Sequence, residues 1–387
     1  MQKKLELLLN AALIDIICKE IDRYGIISFA RYMELALYTP ELGYYSSNLE
    51  KFGKQGDFVT APEISPLFTR CLSKQIQQII NAIKEADVLE FGAGSGKMAL
   101  DLLTELEKLD CLPRHYYILE LSASLKERQK NLFKKEIPGL FHRIQWLERL
   151  PSGFKGAIIA NEVIDAMPVH KFNKLNEMYV AKGRGGFIWQ EDAPSTPELK
   201  QKINAVADML MNYQAAGYDL SDKYESEINL LLPAWVSTLN QCIDQAIVIL
   251  LDYGYPQHEY YHPQRSMGTL MCHYQHKAHS DPLILTGLQD ITAHVDFSLL
   301  AESAIAAGFT VSGYTDQAHF LFNCGLMDLL NSNNTHTAEK FTINQQVKLL
   351  TLPSEMGELI KVIALNKNIE LNLLGFQNFD KRGKLFQ

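Results

Sequence analysis

Apolar residues recur at helical spacing from residue 5 to about 38, and Ser28 stands where a second helix would take its N-cap, stopping before Pro40. Residues 40–66 break that pattern: they are polar and loop-like, and they end where a helix over 67–84 begins. A connection of this length inside a compact protein is usually functional or mobile. Residues 87–161 then alternate short apolar runs with amphipathic stretches, predicting strand 87–91, helix 96–108, strand 115–120, helix 124–135, a short strand 143–147 and strand 156–161. Such alternation is the signature of an α/β fold with a parallel, doubly wound sheet. Between 168 and 190 the period shortens, in PVHKFNK, MYVAKG and FIWQE, which predicts a small antiparallel β insertion. Helices are expected at 198–213 and 228–242, and the most apolar strand of the second half, 242–252, resumes the sheet. A stretch rich in histidine, tyrosine and proline, 255–291, reads as an extended hairpin and loop excursion. After it come a helix at 297–307, a strand around 309–314, helices to about 352, and closing strands near 360–366 and 370–376. The pattern therefore divides into an N-terminal helical cap with a loop over 1–84 and a sheet core over 85–387, with insertions at about 168–240 and 255–292.

Composition narrows the class. The chain has 387 residues, 47% of them hydrophobic and 21% charged, enough to bury a large core. A formal charge of −8 gives no support to nucleic-acid or anionic-membrane binding, which needs an excess of lysine and arginine. Six cysteines (Cys18, Cys71, Cys111, Cys242, Cys272, Cys324) lie far apart without a C-x-x-C pair, so reduced thiols and a cytoplasmic setting are expected. The first residues carry Glu6, Asp15, Glu20 and Asp22, unlike a signal or transit peptide, and no run approaches the ~20 apolar residues of a membrane helix. The pattern leaves the oligomeric state open.

The candidate chemistry centres on residues 88–100, VLEFGAGSGKMAL, an apolar run, a glycine-rich turn and an opening helix. Gly92, Gly94 and Gly96 leave the backbone bare where the chain turns, and the free N–H groups of the next helix face the same spot. A nucleotide-like cofactor belongs there. The dinucleotide fingerprint places its third glycine or alanine three residues after the second, but here that position is Lys97. The spacing from Glu90 through Gly92, Gly94 and Gly96 instead resembles the first motif of class I S-adenosyl-L-methionine (SAM) methyltransferases. At the end of the next strand Glu120 is placed to accept hydrogen bonds from a ribose diol, a device that NAD enzymes share; an ordinary tight turn is the bland alternative.

Strand 156–161 runs into Asn161-Glu162-Val163-Ile164-Asp165. Ligands in open α/β sheets sit outside the carboxyl ends of strands, so Asn161 and Glu162 should face the donor pocket. Methyl transfer needs an acceptor that loses a proton and is held within roughly 3–3.5 Å of the reacting carbon. Glu162 could grip a guanidinium or amine and take up that proton, with Asp165 sharing the task or only satisfying turn backbone. Asp57, Thr60 and Glu63, in GDFVTAPEISP, are the second candidates for substrate contact; the alternative for Thr60 or Ser65 is a cap on the following helix. His294 and Asp296 sit at a helix start, where Asp296 could equally be a cap. Cys272, His273, His276, His279 and Asp281 have a spacing that metal ligands use, but without a second pair they read as loop residues and no metal is expected.

Six phrases in register resemble the MidA family of SAM-dependent methyltransferases, bacterial relatives of the mitochondrial complex I assembly methyltransferases. They are GDFVTAPEISPLF (56–68), LEFGAGSGKMALDLL (89–103), ILELSASLKERQ (118–129), ANEVIDAMPVHKF (160–172), LLDYGY (250–255) and GTLMCHYQHKAHSDPLILTGLQDITAHVDF (268–297). The resemblance covers most of the chain. It implies a class I, Rossmann-like methyltransferase core with a helical cap and β insertions, SAM as cofactor at Gly92, Gly94 and Glu120, and an arginine of a protein as acceptor. The chain departs from the family pattern at Ala93, Ala61, Lys97 and Met98, none of which removes a donor that the chemistry requires. Rival readings are a methyltransferase acting on a small molecule or RNA, an assembly factor that binds SAM without catalysis, and a nicotinamide oxidoreductase.

Overall fold

The computed structural model describes residues 2–47, 59–331 and 337–387. These pack as two compact units, one from the described residues of Met1–Phe58, Asp165–Ala234 and Tyr255–Asp296, the other from Val59–Ile164, Trp235–Gly254 and Phe297–Gln387. All six cysteines are free thiols. Among the described residues no helix is long and apolar enough to cross a membrane.

The second unit carries the large sheet. In chain order its strands are β1 (Asp87–Phe91), β2 (Tyr116–Leu119), β3 (Ile144–Leu147), β4 (Phe154–Asn161), β5 (Ile243–Tyr255), β6 (Thr310–Asp316) and β7 (Ile360–Lys367). Across the sheet they run β6-β7-β5-β4-β1-β2-β3. Strands β1 to β5 pair in parallel, and β7 enters antiparallel between β5 and β6. This is the α/β, doubly wound arrangement that the alternation predicted. Every residue of β1 is buried, as a strand covered on both faces requires. Helix Lys97–Lys108 buries Met98, Ala99, Leu102, Leu103 and Leu106, a stripe at i, i+3 and i+4 spacing, and helix Pro66–Ala82 buries Phe68, Leu72, Ile76 and Ile79 in the same core. Each of the larger of these side chains, leucine, isoleucine, methionine or phenylalanine, contributes about 1.5–3 kcal/mol when removed from water. The strand order reverses at β1, whose neighbours are β2 and β4, so the crevice beyond its carboxyl end is the place for a ligand.

The first unit is built on a smaller antiparallel sheet. Asn176–Gly183 pairs with Gly186–Asp192, His170–Asn173 and Ile27–Ser28, and His170–Asn173 pairs in turn with Glu225–Ile228. Helix Gln2–Tyr24 and helix Phe29–Tyr38 belong to this unit, and Ser28 caps the second by accepting the Arg31 N–H, as expected. Helix Pro197–Ala215 packs in a core with Phe172, Ile228, Tyr260 and Tyr261. Met271–Tyr274, Lys277–His279 and Asp290–Thr292 form a three-stranded sheet in the 255–291 excursion.

Two elements differ from the sequence reading. Residues 225–228 form a strand, and the helix expected from 228 starts at Leu232, because Asn229 Oδ1 accepts the N–H groups of Leu231 and Leu232. No strand forms at 370–376. The N–H groups of Leu374 and Gly375 donate to Gln78 and Gln75 on helix Pro66–Ala82, which removes ladder donors, and Leu374–Phe376 closes as a 3-10 turn.

Candidate functional site

The glycine loop follows β1 directly. Gly92, Gly94 and Gly96 have φ of 59°, 52° and 85°, all in the left-handed region that side chains disfavour. A Cβ on Gly96 would lie 3.1 Å from the Phe133 ring and 3.2 Å from Gln129 Cγ, so the third glycine is also a packing requirement. Gly96 opens helix Lys97–Lys108 and has no side chain to cap it, but Ser95 Oγ accepts the Lys97 N–H at 3.2 Å.

Glu120 lies just past β2 and is 7% exposed. Its Oε1 accepts the Ser122 N–H at 3.0 Å, and its Oε2 accepts Gln129 Nε2–H at 3.2 Å. Burial pushes its carboxyl up, and those donors pull it back. Glu90, which the motif places beside the cofactor, is 1% exposed and takes the Tyr116 hydroxyl at 2.6 Å, tying β1 to β2. Burial raises its pKa to about 7.

Strand β4 ends at Asn161, and the chain turns sharply at Glu162, whose φ is 53°. For a residue with a side chain this costs on the order of 1–3 kcal/mol and must be held by its surroundings. Four groups hold it. The Glu162 N–H donates to Leu251 O on β5 at 2.8 Å, while Asp252 Oδ2 accepts the N–H groups of Val163 at 3.1 Å and Ile164 at 2.8 Å. Glu162 Oε1 accepts from Asn161 Nδ2 at 3.0 Å and from the Ala61 N–H at 3.4 Å. Asn161 Oδ1 is buried and has no hydrogen-bond partner among the described residues.

The structure gives Glu63 a different neighbour from the acceptor contact expected of it. From the short helix Ala61–Ile64 it accepts the Ser95 hydroxyl, so it braces the glycine loop. Ser65 caps the next helix through the Leu67 N–H, whereas the Thr60 side chain makes no cap. Asp57 lies outside the described residues.

Asp165, His294 and Asp296 belong to the other unit. The Asp165 carbonyl accepts the Ala293 N–H at 2.9 Å, which brings Asp165 to the 293–294 segment. The His294 N–H donates to Thr269 Oγ1 at 3.0 Å, and its ring lies 5.3 Å from Tyr255. Thr269 in turn binds Glu227 Oε2 through its N–H and its hydroxyl. Asp296 is 8% exposed in the two-residue strand Val295–Asp296, immediately before helix Phe297–Ala307. Tyr45 donates to Asp290 Oδ1 at 2.7 Å, and Tyr38 donates to Ala166 O at 2.8 Å. Among the described residues no three His, Cys, Asp or Glu side chains converge as metal ligands. Sequence reading passed over Asp252, Gln129, Thr269 and Glu227. Of these only Asp252 carried a local signal, as the polar residue closing the apolar run of β5.

These residues suit SAM. The left-handed loop keeps its backbone bare, the Glu120 carboxylate suits a diol, and the orphaned Asn161 Oδ1 is an acceptor awaiting a donor such as an ammonium group. The comparisons agree. Residues 71–315 match the family described as S-adenosyl-L-methionine-dependent methyltransferases. A crystal structure from Burkholderia thailandensis, bound to S-adenosyl-homocysteine, is 39% identical with a TM-score of 0.89 over 98% of this chain and 97% of that one. The human mitochondrial protein arginine methyltransferase NDUFAF7 is 27% identical over 401 residues, covering 95% of this chain and 86% of that protein. Its Danio rerio counterpart is 28% identical over 385 residues, covering 90% of this chain and 86% of that one. With its glycine loop, strand order and matched residues taken together, the chain belongs to the family of S-adenosyl-L-methionine-dependent methyltransferases.

Proposed function

We propose that this enzyme methylates a nitrogen of an arginine side chain in a protein. The observation that carries the reading is Glu162, a carboxylate held in a left-handed turn at the carboxyl end of β4, within the crevice where the strand order reverses. Bound SAM supplies an electrophilic methyl carbon. A guanidinium is charged at any physiological pH and presents a planar fork of donors, so its recognition calls for a carboxylate fixed in direction. The Leu251 carbonyl, Asp252 and Asn161 supply that fixity to Glu162. Its carboxylate orients the acceptor and takes up the proton that the nitrogen gives off. The relatives named as protein arginine methyltransferases support this substrate class.

Labelled-methyl transfer from SAM into a lysate tests the reading. The expected result is label in polypeptide, recovered as methylarginine after hydrolysis, with Glu162→Gln lowering the rate by about 10²–10⁴-fold and leaving S-adenosyl-homocysteine affinity within about threefold. Label confined to small molecules or RNA would overturn the acceptor. Binding without any transfer would point to an assembly factor.

A further inference from the structure

Gln129, in helix Ala123–Glu136, is wholly buried, yet its amide is fully engaged. Nε2 donates to the carbonyl of Gly94 at 2.9 Å and to Glu120 Oε2 at 3.2 Å, and Oε1 accepts the Trp146 indole N–H at 2.8 Å. An indole N–H can only donate, so the oxygen of the amide must face Trp146 and both amide hydrogens must face the loop and the carboxylate. Gly96 leaves room for this, since a Cβ there would press on Gln129 Cγ at 3.2 Å.

We propose that Gln129 is a positioning residue for cofactor binding: its amide clamps the middle glycine of the loop to the carboxylate of Glu120, with Trp146 fixing which way the amide points. The inference rests on the reading that Glu120 takes the ribose diol. The glycine loop and Glu120 follow different strands, and a ligand that touches both needs them in one register. A carboxylate as buried as Glu120 also favours its neutral form. A donor on Oε2 counters that and keeps the carboxylate an acceptor. Methionine lacks the donors, glutamate would set one carboxylate against another and against the Gly94 carbonyl, and lysine or arginine would leave the Trp146 N–H without an acceptor.

Calorimetry on the full chain tests this with two ligands, S-adenosyl-homocysteine and its 2′,3′-dideoxy analogue, which lacks the ribose hydroxyls. Glu120→Gln should weaken the first and spare the second, which tests the reading of Glu120 by itself. Gln129→Met should reproduce that selective loss, about tenfold for S-adenosyl-homocysteine and less than about twofold for the analogue. Trp146→Phe, which keeps the ring but frees the amide to flip, should give a smaller loss with the same selectivity, and it serves if Gln129→Met does not fold. If Glu120→Gln is selective while Gln129→Met and Trp146→Phe weaken both ligands equally or neither, the clamp is refuted and the ribose reading stands. If Glu120→Gln itself shows no selectivity, the ribose reading fails and the clamp loses its purpose.

Discussion

Asp252 and Ile164 are 88 residues apart in sequence, yet the Asp252 carboxylate accepts the Ile164 N–H at 2.8 Å and the neighbouring Val163 N–H at 3.1 Å. This carboxylate from β5 holds the turn in which β4 delivers Asn161 and Glu162. Its other oxygen accepts the Tyr253 N–H at 2.9 Å, and Asp252 is 1% exposed. Asp252→Ala leaves these N–H groups without their acceptor, and the expected loss of stability is about 3 kcal/mol. Urea unfolding measures it. A change below about 1 kcal/mol would show that the turn stands without Asp252.

Gly96→Ala tests the loop. At φ 85° an alanine is strained by roughly 1–2 kcal/mol, and its methyl group would press on Phe133 at 3.1 Å. Both effects shift the loop, so S-adenosyl-homocysteine should bind at least about tenfold more weakly, roughly 1.4 kcal/mol. Calorimetry showing unchanged affinity would remove the steric argument.

Glu90 predicts a pH dependence of folding. Its pKa of about 7 in the folded chain lies above the ordinary carboxyl value of 4.5 because burial disfavours the charged form. Between these values the folded chain holds a proton that the unfolded chain releases. Stability from this group is therefore fully present below about 4.5 and falls as pH rises through about 7. Glu90→Gln, which keeps an acceptor for the Tyr116 hydroxyl, should flatten that slope. The stability difference between variant and parent should change by on the order of 3 kcal/mol across the window. Denaturation curves at a series of pH values would expose the opposite trend if the assignment is wrong.

In the other unit, Lys171 is buried with its ammonium 2.7 Å from Glu225 and 3.9 Å from the fully buried Glu227. Lys171→Met strands the acid and should cost on the order of 3–5 kcal/mol. Adding Glu227→Gln should recover part of that, because the more deeply buried of the two uncompensated charges is gone while Glu225 keeps some access to water. A double variant as unstable as the sum of the singles would argue against a charge effect.

Local pattern carried much of the fold. The strand, glycine turn and helix at 87–108, the Ser28 cap and the alternation that predicts the parallel sheet all depend on residues within a few positions of one another. The errors arose where a distant side chain intervened. Gln75 and Gln78 take the backbone donors that residues 374 and 375 would need for a strand, nearly 300 positions along the chain. Glu63 was legible as polar and as near a helix, but its partner Ser95 was not. Gln129 closes the phrase 118–129, but nothing local showed its role, since its meaning lies in three contacts on three other segments.

By itself, the sequence determined the cofactor class. A left-handed, bare turn between a buried strand and a helix can be written only with glycines, and the acid one strand later is a matter of spacing. Tertiary structure decided which polar residues are placed to meet a ligand and which support those that do. Backbone propensity acts over a few residues, whereas the partner of a buried carboxylate or amide is whatever donor the packed sheet brings within about 3 Å. On that ground Glu63 meets Ser95, Gln129 joins Gly94 to Glu120, and Asp252 holds the turn after β4, contacts that only the packed chain could bring about.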